Sequence, residues 1–339
     1  MAHASQTRSD PQAWQASATP PVSDTTVVSD TTAPPGALPA PEAILARASG
    51  ENFPVASRVL PRALRQDLIA LYGFARLADE IGDGAVADPL RALDWLDGEI
   101  DRAAAGTARH PLLVHAGTTI RRHHLPTEPF HDLVEANRQD QSVLRYATFE
   151  ELVDYCRLSA VPVGRMVLGV LGAATPPRVT WSDDVCIALQ LVEHCQDVFE
   201  DAARGRIYLP AEDLRRLGCD EDDVLACRPT PALRSTVALQ THRARALLAG
   251  GAPLAASLPG RFRLAVAAFA GGGLAVVDEL ADAGFAPQAP GAAEAGTTVR
   301  RARRHWSAFC HTARIAVSAP PRSPTEVAGR DRRSPWKRR

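Results

Sequence analysis

The chain has 339 residues and a formal net charge of −1 at pH 7, which excludes nucleic-acid binding through a strongly basic surface. Hydrophobic residues make up 45% of the chain and charged residues 23%, a balance typical of a globular protein with one large domain or two ordinary ones. The six cysteines fit no zinc-binding spacing, and the N-terminus has no signal-peptide pattern. We therefore expect a cytoplasmic protein with reduced thiols.

Both ends of the chain differ in composition from its middle. Residues 1–40 are rich in Ala, Ser, Thr and Pro, which predicts a disordered tail. A folded domain is expected over residues 41–285. Residues 286–339 are rich in Ala, Pro and Arg, and we expect them to be partly disordered, with a short basic helix over Thr298 to Ala316. Their basic residues are consistent with a peripheral contact to anionic lipid on the inner face of the membrane, and equally with a solubilising tail.

Helical periodicity dominates the middle of the chain, and no strand-like alternation persists. We therefore predict an all-α fold. The predicted helices cover Glu42–Ser49, a long segment from about Pro61, Pro89–Ala104, Pro111–His123, Pro129–Gln139, Phe149–Leu171, Asp183–Asp201, Ala211–Leu217, Asp220–Ala226, Pro231–Ala249 and Arg261–Ala283. Pro162 is expected to kink the sixth of these helices, and Ser182 to cap the seventh.

Two of the predicted helices carry an acidic stripe that ends in an Asp-x-x-x-Asp pair. The residues of the first stripe share one helical face: Tyr72, Arg76, Asp79 and Asp83. Those of the second stripe do the same: Gln190, Glu193, Asp197 and Asp201. Two pairs that face each other across a helical bundle would form a cage of oxygen ligands suited to Mg²⁺. Arg76 and Arg206 lie near the pairs and are candidates to hold diphosphate oxygens.

A single Asp-x-x-x-Asp pair is usually no more than a solvated helix face. Both pairs here lie in otherwise apolar helices, where ionised carboxylates are costly to bury. The pattern alone therefore leaves two interpretations open, a metal site and a solvated surface.

Three longer motifs resemble the squalene/phytoene synthase family. They read Phe74-Ala75-Arg76-x-x-Asp79-Glu80-x-x-Asp83, Tyr155-Cys156-x-x-x-Ala160-x-x-Val163-Gly164, and Gln196-Asp197-x-x-x-Asp201 followed by Gly205-Arg206-Ile207-Tyr208-Leu209-Pro210. The resemblance covers roughly residues 42–285 and implies an isoprenoid-synthase helical bundle with a central apolar cavity. Within the family, the Asn52–Ser57 and Arg138–Asp140 segments most resemble bacterial hydroxysqualene synthases of hopanoid biosynthesis.

The resemblance implies roles for the motif residues. The residues implied as Mg²⁺ ligands on a diphosphate are Asp79, Asp83, Asp197, Asp201 and Glu193. Tyr155 and Arg76 are implied as catalytic residues, beside the ionising carbons and the departing diphosphate. The implied substrate-binding residues are Ser57, Arg76, Gln190, Arg206 and Tyr208.

Four positions depart from the residues usual in the family. Glu193 replaces an Asn; glutamate can still bind Mg²⁺, but it adds a negative charge. His194 and Cys195 stand where aromatic residues are common in the hydroxysqualene synthase group, and we expect them only to repack the helix. Glu80 replaces an Asp of the first motif, and its role is either to support a ligand or to remain solvated.

The resemblance implies that the protein converts presqualene diphosphate and water to hydroxysqualene and diphosphate. One alternative is a head-to-head prenyltransferase that makes presqualene diphosphate, squalene or phytoene with the same metal site. Another is a non-catalytic interaction protein of the same fold, which the presence of all four aspartates disfavours. We expect no nicotinamide cofactor, chiefly because the Asn52–Ser57 segment resembles the hydroxysqualene synthase group; the sequence also has no Gly-x-Gly-x-x-Gly motif. The sequence leaves the oligomeric state open.

Overall fold

The computed structural model of the chain describes residues 34, 36–46, 60–288, 307–308 and 310–316. Within these residues the chain is helical and contains no strand, so the all-α prediction is confirmed. The helices are α1 (Pro41–Ala46), α2 (Arg62–Gly82), α3 (Pro89–Ala105), α4 (Pro111–His123), α5 (Glu128–Gln139), α6 (Phe149–Ser159), α7 (Val161–Val170), α8 (Pro176–Gln196), α9 (Val198–Ala203), α10 (Ala211–Leu217), α11 (Glu221–Leu225), α12 (Pro231–Gly251), α13 (Pro253–Ser257) and α14 (Gly260–Asp282). Most of the predicted N-terminal tail and most of the C-terminal segment lie outside the described residues.

Two apolar clusters form the core. One is built from α1 to α5 with part of α7, and the other extends from the end of α5 to α14. The most extensive helix pair in the second cluster is α8 with α12. Helix α7 packs against both α2 and α8, whereas α2 and α8 do not pack extensively against each other in the described part of the chain. The two helices that carry the acidic stripes are therefore held apart by shared neighbours.

The predicted helix over Phe149–Leu171 is in fact two helices. The chain breaks at Ala160, where φ is −119° and ψ is −43°, and α7 begins at the next residue. Pro162 lies in the first turn of α7, a position that tolerates proline because the N–H it lacks has no helical acceptor there. The prediction of a kink within one helix was therefore wrong: the proline begins a new helix.

The second acidic helix also differs from its prediction at both ends. Helix α8 begins at Pro176 after the N-cap residue Thr175, because two prolines at its start favour the first helical turn. Ser182 is not a cap; it is buried inside α8. At the other end, α8 stops before Asp197, whose φ of −98° and ψ of 13° interrupt the helix, and α9 continues the chain. The short helix α13 was not predicted at all.

Helix α14 contains the longest apolar run of the chain, and much of it is buried. It is the one helix among the described residues that is long and apolar enough to cross a membrane, and 56% of its most apolar window is buried inside the protein. Residues 310–316 are helical and dock on α14. His311 Nε2 lies 2.7 Å from Asp278 Oδ2, and Ser307 donates to the same oxygen. All six cysteines are unpaired thiols.

Candidate active site

The first acidic pair lies where α2 ends. Asp79 is in the last turn of the helix, and Asp83 follows Gly82, the final helical residue. Although 47% of the Asp79 side chain is accessible, the surrounding protein desolvates its carboxylate and raises its pKa to about 6. Asn137 approaches Asp79 from α5 with an Nδ2–Oδ1 distance of 3.5 Å. A Cβ at Gly82 would lie 2.9 Å from Asn137 Cγ, so this approach requires glycine.

Arg76 lies one turn before this pair, on the same face of α2. Its guanidinium is 3.9 Å from the Asp79 carboxylate and 3.4 Å from that of Glu80. Its Nε is buried and has no hydrogen-bond partner in the described structure. Glu80 therefore has a defined contact, since its carboxylate holds the guanidinium of Arg76 beside Asp79.

The second acidic pair lies at the junction of α8 and α9. Burial, followed by the nearby Asp197 carboxylate, raises the pKa of Asp201 to about 7, and Arg204 acts in the opposite direction. The pKa of Asp197 is raised to about 6, first by burial and then by Glu200. Ionising both carboxylates here is therefore costly unless a cation binds beside them.

His194 lies next to this second pair. The side chain is buried, and its ring stacks on that of Tyr208 with centroids 3.9 Å apart and an interplanar angle of 13°. Burial lowers the pKa of His194 to about 3, so the ring is neutral at physiological pH. Its Nε2 lies 3.3 Å from Gln190 Nε2, and its Nδ1 lies 4.0 Å from Asp201 Oδ2. Gln190 is thus connected to the acidic pair through His194.

Three of the four tyrosines in the chain form one cluster beside His194. The ring centroid of Tyr155, from α6, is 5.4 Å from that of Tyr146 and 5.5 Å from that of Tyr208. The Tyr146 and Tyr208 rings stack at 5.8 Å. Burial raises the pKa of all three phenols, so each retains its proton at neutral pH.

Backbone pairing fixes the position of Tyr208. The loop after α9 runs parallel to residues 144–147, and the Ile207 N–H donates to the Leu144 carbonyl at 3.0 Å. The Ala211 N–H donates to the Tyr146 carbonyl at 2.9 Å. These bonds place the third sequence motif directly against the end of α5 and the start of α6.

Asp140 and Arg206 connect the two acidic motifs. Arg206 Nη1 lies 3.4 Å from Asp83 Oδ1, and its Nη2 donates to the Asp140 carbonyl at 3.2 Å. The Asp140 carboxylate accepts a hydrogen bond from the Tyr155 hydroxyl at 2.8 Å and another from the Tyr208 hydroxyl at 2.9 Å. The site thus joins α2, α5, α6 and the loop after α9.

The sequence profile of the squalene/phytoene synthase family matches residues 46–309 of the chain. The chain belongs to the squalene/phytoene synthase family. Members of this family act on prenyl diphosphates and use divalent metal ions. The resemblance drawn from the three motifs is therefore confirmed.

Several relatives show how the chain compares within the squalene/phytoene synthase family. It is 36% identical to a hydroxysqualene synthase of Rhodopseudomonas palustris over 212 residues, which cover 61% of this chain and 71% of the relative. It is also 36% identical to a phytoene synthase of Arthrospira platensis over 210 residues, covering 58% and 68% of the two chains.

Two solved structures share the isoprenoid-synthase fold of this squalene/phytoene synthase family member. The crystal structure of squalene synthase HpnC from Alicyclobacillus acidocaldarius matches with a TM-score of 0.68 and 41% identity, over 72% of this chain and 93% of that one. A dehydrosqualene synthase solved with a ligand matches with a TM-score of 0.71 and 22% identity, over 81% and 95%. The predicted isoprenoid-synthase bundle is confirmed.

The structure brings most of the predicted site residues of this family member together. Arg76 contacts Asp79, Arg206 reaches Asp83, and Tyr155 contacts Tyr208. Glu193 is exposed on α8, and its charge contributes to the raised pKa of Asp201. Ser57, like the whole Asn52–Ser57 segment, lies outside the described residues.

The sequence predicts a cage of oxygen ligands made by two acidic pairs that face each other. In the part of the chain that is described, no three His, Cys, Asp or Glu side chains form a metal-binding group, so the carboxylates stand as two separate pairs.

Asp140 and Tyr146 were not among the predicted site residues. The scarcity of tyrosine was the available signal, because three of only four tyrosines converge on Asp140 or its neighbours.

Proposed function

We propose that the protein converts presqualene diphosphate and water into hydroxysqualene and diphosphate, with Mg²⁺ as its metal ion. The observation that carries this proposal is the 3.4 Å contact between Arg206 and Asp83, which are 123 positions apart in the chain. It joins the second acidic motif to the first and supports a single diphosphate site between them. The similarity to hydroxysqualene synthases supports the choice of reaction.

The donor set fits Mg²⁺. The ion is usually bound by one or two protein carboxylates together with phosphate oxygens and water. Asp79 with Asp83, and Asp197 with Asp201, each offer two carboxylates, and Glu193 is a candidate fifth ligand. Two open pairs therefore suit ions that also bind a substrate diphosphate. Bound there, Mg²⁺ would offset the negative charge that develops on the departing diphosphate.

The remaining roles fall to side chains around the pairs. Arg76 and Arg206 are proposed to bind diphosphate oxygens, and Gln190 and Ser57 to contact the substrate. Tyr155 and Tyr208 are proposed to line the place where carbon ionises. The C–O bond to diphosphate breaks with its electron pair, the carbocation takes up the oxygen of one water, and that water releases a proton. Apolar helices exclude other water molecules from the cation.

We also propose that residues 41–285 form the catalytic domain. The family match continues to residue 309, and residues 310–316 dock on α14, which supports extending this domain toward the C-terminus. A contact between the basic C-terminal residues and a membrane surface stays a prediction.

A head-to-head prenyltransferase is the second candidate function. The observation that favours it is the phytoene synthase of Arthrospira platensis, whose identity of 36% equals that of the hydroxysqualene synthase. The same aspartates would bind the diphosphates of two prenyl substrates. Substrate choice separates the two candidates.

Incubation with presqualene diphosphate and Mg²⁺ in ¹⁸O-labelled water tests the reaction. We expect labelled hydroxysqualene and free diphosphate, because water is the nucleophile that ends the reaction, and we expect no change when NADPH is added. Mass spectrometry of the product gives the label. Inertness toward presqualene diphosphate together with consumption of farnesyl or geranylgeranyl diphosphate would favour the prenyltransferase.

Substitution of Glu193 by Asn tests the unusual residue of the second stripe. The change removes a negative charge that raises the pKa of Asp201 and restores the residue usual in the family, so turnover should be preserved or improved. Glu200→Gln removes another charge that acts on the same carboxylate and serves as the matched control. A loss greater than about tenfold in kcat for Glu193→Asn alone, or ~1.4 kcal/mol of barrier, would show that Glu193 has its own role.

A further inference from the structure

Asp140 lies at the centre of the site, yet the proposed reaction gives it no role. We propose that Asp140 is a positioning residue that holds Tyr155 and Tyr208 as one carboxylate-bridged pair during catalysis. This inference rests on the proposed function, because it assigns the tyrosine pair to the place where carbon ionises.

The geometry assigns one carboxylate oxygen to each phenol. Asp140 is the residue that follows α5; its Oδ2 accepts from the Tyr155 hydroxyl at 2.8 Å and its Oδ1 from the Tyr208 hydroxyl at 2.9 Å. Both distances are in the normal range for O–H···O hydrogen bonds. The Asp140 carbonyl accepts from Arg206 at 3.2 Å, so this one residue contacts three side chains of the site.

A carboxylate is the group that this arrangement requires. Each phenol has one hydrogen to donate, and an ionised carboxylate offers two acceptor oxygens with no competing donor. An amide at the same position has one acceptor oxygen, and its NH₂ group would face the other phenol hydrogen. The guanidinium of Arg206 compensates part of the Asp140 charge in this partly buried place.

The bridge determines what the two phenols can do. While both hydrogens point to Asp140, neither phenol donates to the diphosphate or to the incoming water. Hydrogen bonding to a carboxylate polarises each phenol, so its oxygen carries more negative charge. Two such oxygens favour a positive charge on a nearby carbon. Asp140 therefore acts through Tyr155 and Tyr208, and its loss should affect kcat more than KM.

Kinetics of Asp140→Asn, with Asp94→Asn as the matched control, test the role. Asp94, on α3, is an exposed carboxylate that binds Arg138, two positions before Asp140. The control therefore removes a charge beside the same end of α5 without touching the tyrosines. We expect Asp140→Asn to lower kcat by about 10- to 100-fold, as displaced catalytic groups do, with KM little changed. Asp140→Glu should recover part of the loss, and Asp94→Asn should match the wild type.

A spectroscopic readout tests the bridge without any substrate. Uniform labelling with 3-fluorotyrosine gives four ¹⁹F resonances, because the chain has four tyrosines. Phe variants of Tyr155 and Tyr208 assign two of them. Asp140→Asn should shift both of these resonances, whereas Asp94→Asn should shift neither. If Asp140→Asn does not fold, Tyr155→Phe should still shift the Tyr208 resonance through the shared carboxylate.

Three other outcomes would contradict the bridge, its role in catalysis, or the proposed function. Unmoved Tyr155 and Tyr208 resonances in Asp140→Asn, or an unmoved Tyr208 resonance in Tyr155→Phe, would show that no bridge exists. Shifted resonances with a wild-type kcat would show that the bridge exists but positions nothing that the reaction uses. A wild-type protein inert toward both presqualene and farnesyl diphosphate would overturn the proposed function, while the ¹⁹F spectra would still decide whether Asp140 holds the two tyrosines.

Discussion

Asp201→Asn is expected to abolish turnover and, at the same time, to stabilise the metal-free protein. The two effects share one cause, because the carboxylate that would hold Mg²⁺ sits where an ionised group is unfavourable. Its side chain is only 15% exposed, and burial together with Asp197 raises its pKa to about 7. Asparagine is close in shape to aspartate but carries no charge. It therefore removes both the proposed metal ligand and the free-energy cost of ionising a buried carboxylate.

The sign of the stability change follows from proton linkage. The folded protein binds the Asp201 proton more tightly than the unfolded chain, whose carboxyl has a pKa of 3.8. Stability therefore falls as the pH rises from about 4 to about 7, and the full cost is present above that window. At pH 8 we expect Asp201→Asn to be more stable than the wild type by about 1–3 kcal/mol, a discounted value for a partly accessible group.

Thermal unfolding and turnover together provide the test. Wild-type melting temperature should rise when the pH is lowered from 8 to 6 and when Mg²⁺ is added at pH 8, and Asp201→Asn should show a smaller response to both. We expect turnover to fall by at least ~10³-fold, the scale for loss of an electrostatic group in the transition state. Asp79→Asn, Asp83→Asn and Asp197→Asn should lose turnover too. If any two of the four variants keep near-full activity under saturating Mg²⁺, the metal assignment is wrong.

The helical fold was predictable because its signals are local. Apolar spacing on α2 and proline at the first turn of α3 and α4 depend on neighbours within a few residues, and these helices match their predictions closely. The errors arose at residues that are compatible with two different local structures. Pro162 was interpreted as a kink because helical periodicity continues past it, although its missing N–H makes it a good first-turn residue for α7.

The site was predictable only where a motif contains the whole functional group. The aspartate pairs lie within single motifs, so their residues could be named from spacing. Asp140 could not, because its partners Tyr155 and Tyr208 lie 15 and 68 positions away and meet it only through tertiary packing. The contact that His194 makes could not be predicted for the same reason. Its neutral ring stacks on Tyr208, a contact that spacing along α8 does not reveal.

Asp213→Ala is expected to destabilise the fold strongly. Asp213 lies on α10 and is 2% exposed. Its Oδ2 accepts from Gln240 Nε2 at 2.8 Å, and its Oδ1 accepts from Arg243 Nη2 at 3.2 Å, both from α12. Alanine would leave a largely buried guanidinium without its carboxylate, which costs about 3–5 kcal/mol.

The Asp213–Arg243 pair also supports α6, the helix that carries the proposed catalytic residue Tyr155. The Arg243 guanidinium lies 4.0 Å from the ring centroid of Phe149, the first residue of α6. The Phe149 N–H donates to Glu212 Oε1 at 2.7 Å, next to Asp213 on α10. Because Tyr155 lies on α6, a loosened Arg243 should also disturb the tyrosine pair, and turnover measured below the unfolding transition should fall in Asp213→Ala.

Urea unfolding of matched variants distinguishes the loss of the Asp213 carboxylate beside Arg243 from a general loss of packing. Asp154→Ala removes a carboxylate from an exposed pair with Arg157 on α6 and should change stability little, since exposed ion pairs contribute little. Asp213→Ala combined with Arg243→Met removes both buried charges and should recover part of the stability lost in the single variant. A free energy of unfolding for Asp213→Ala within about 1 kcal/mol of the wild-type value would show that water reaches Arg243, and that the Asp213–Arg243 pair does not support α6.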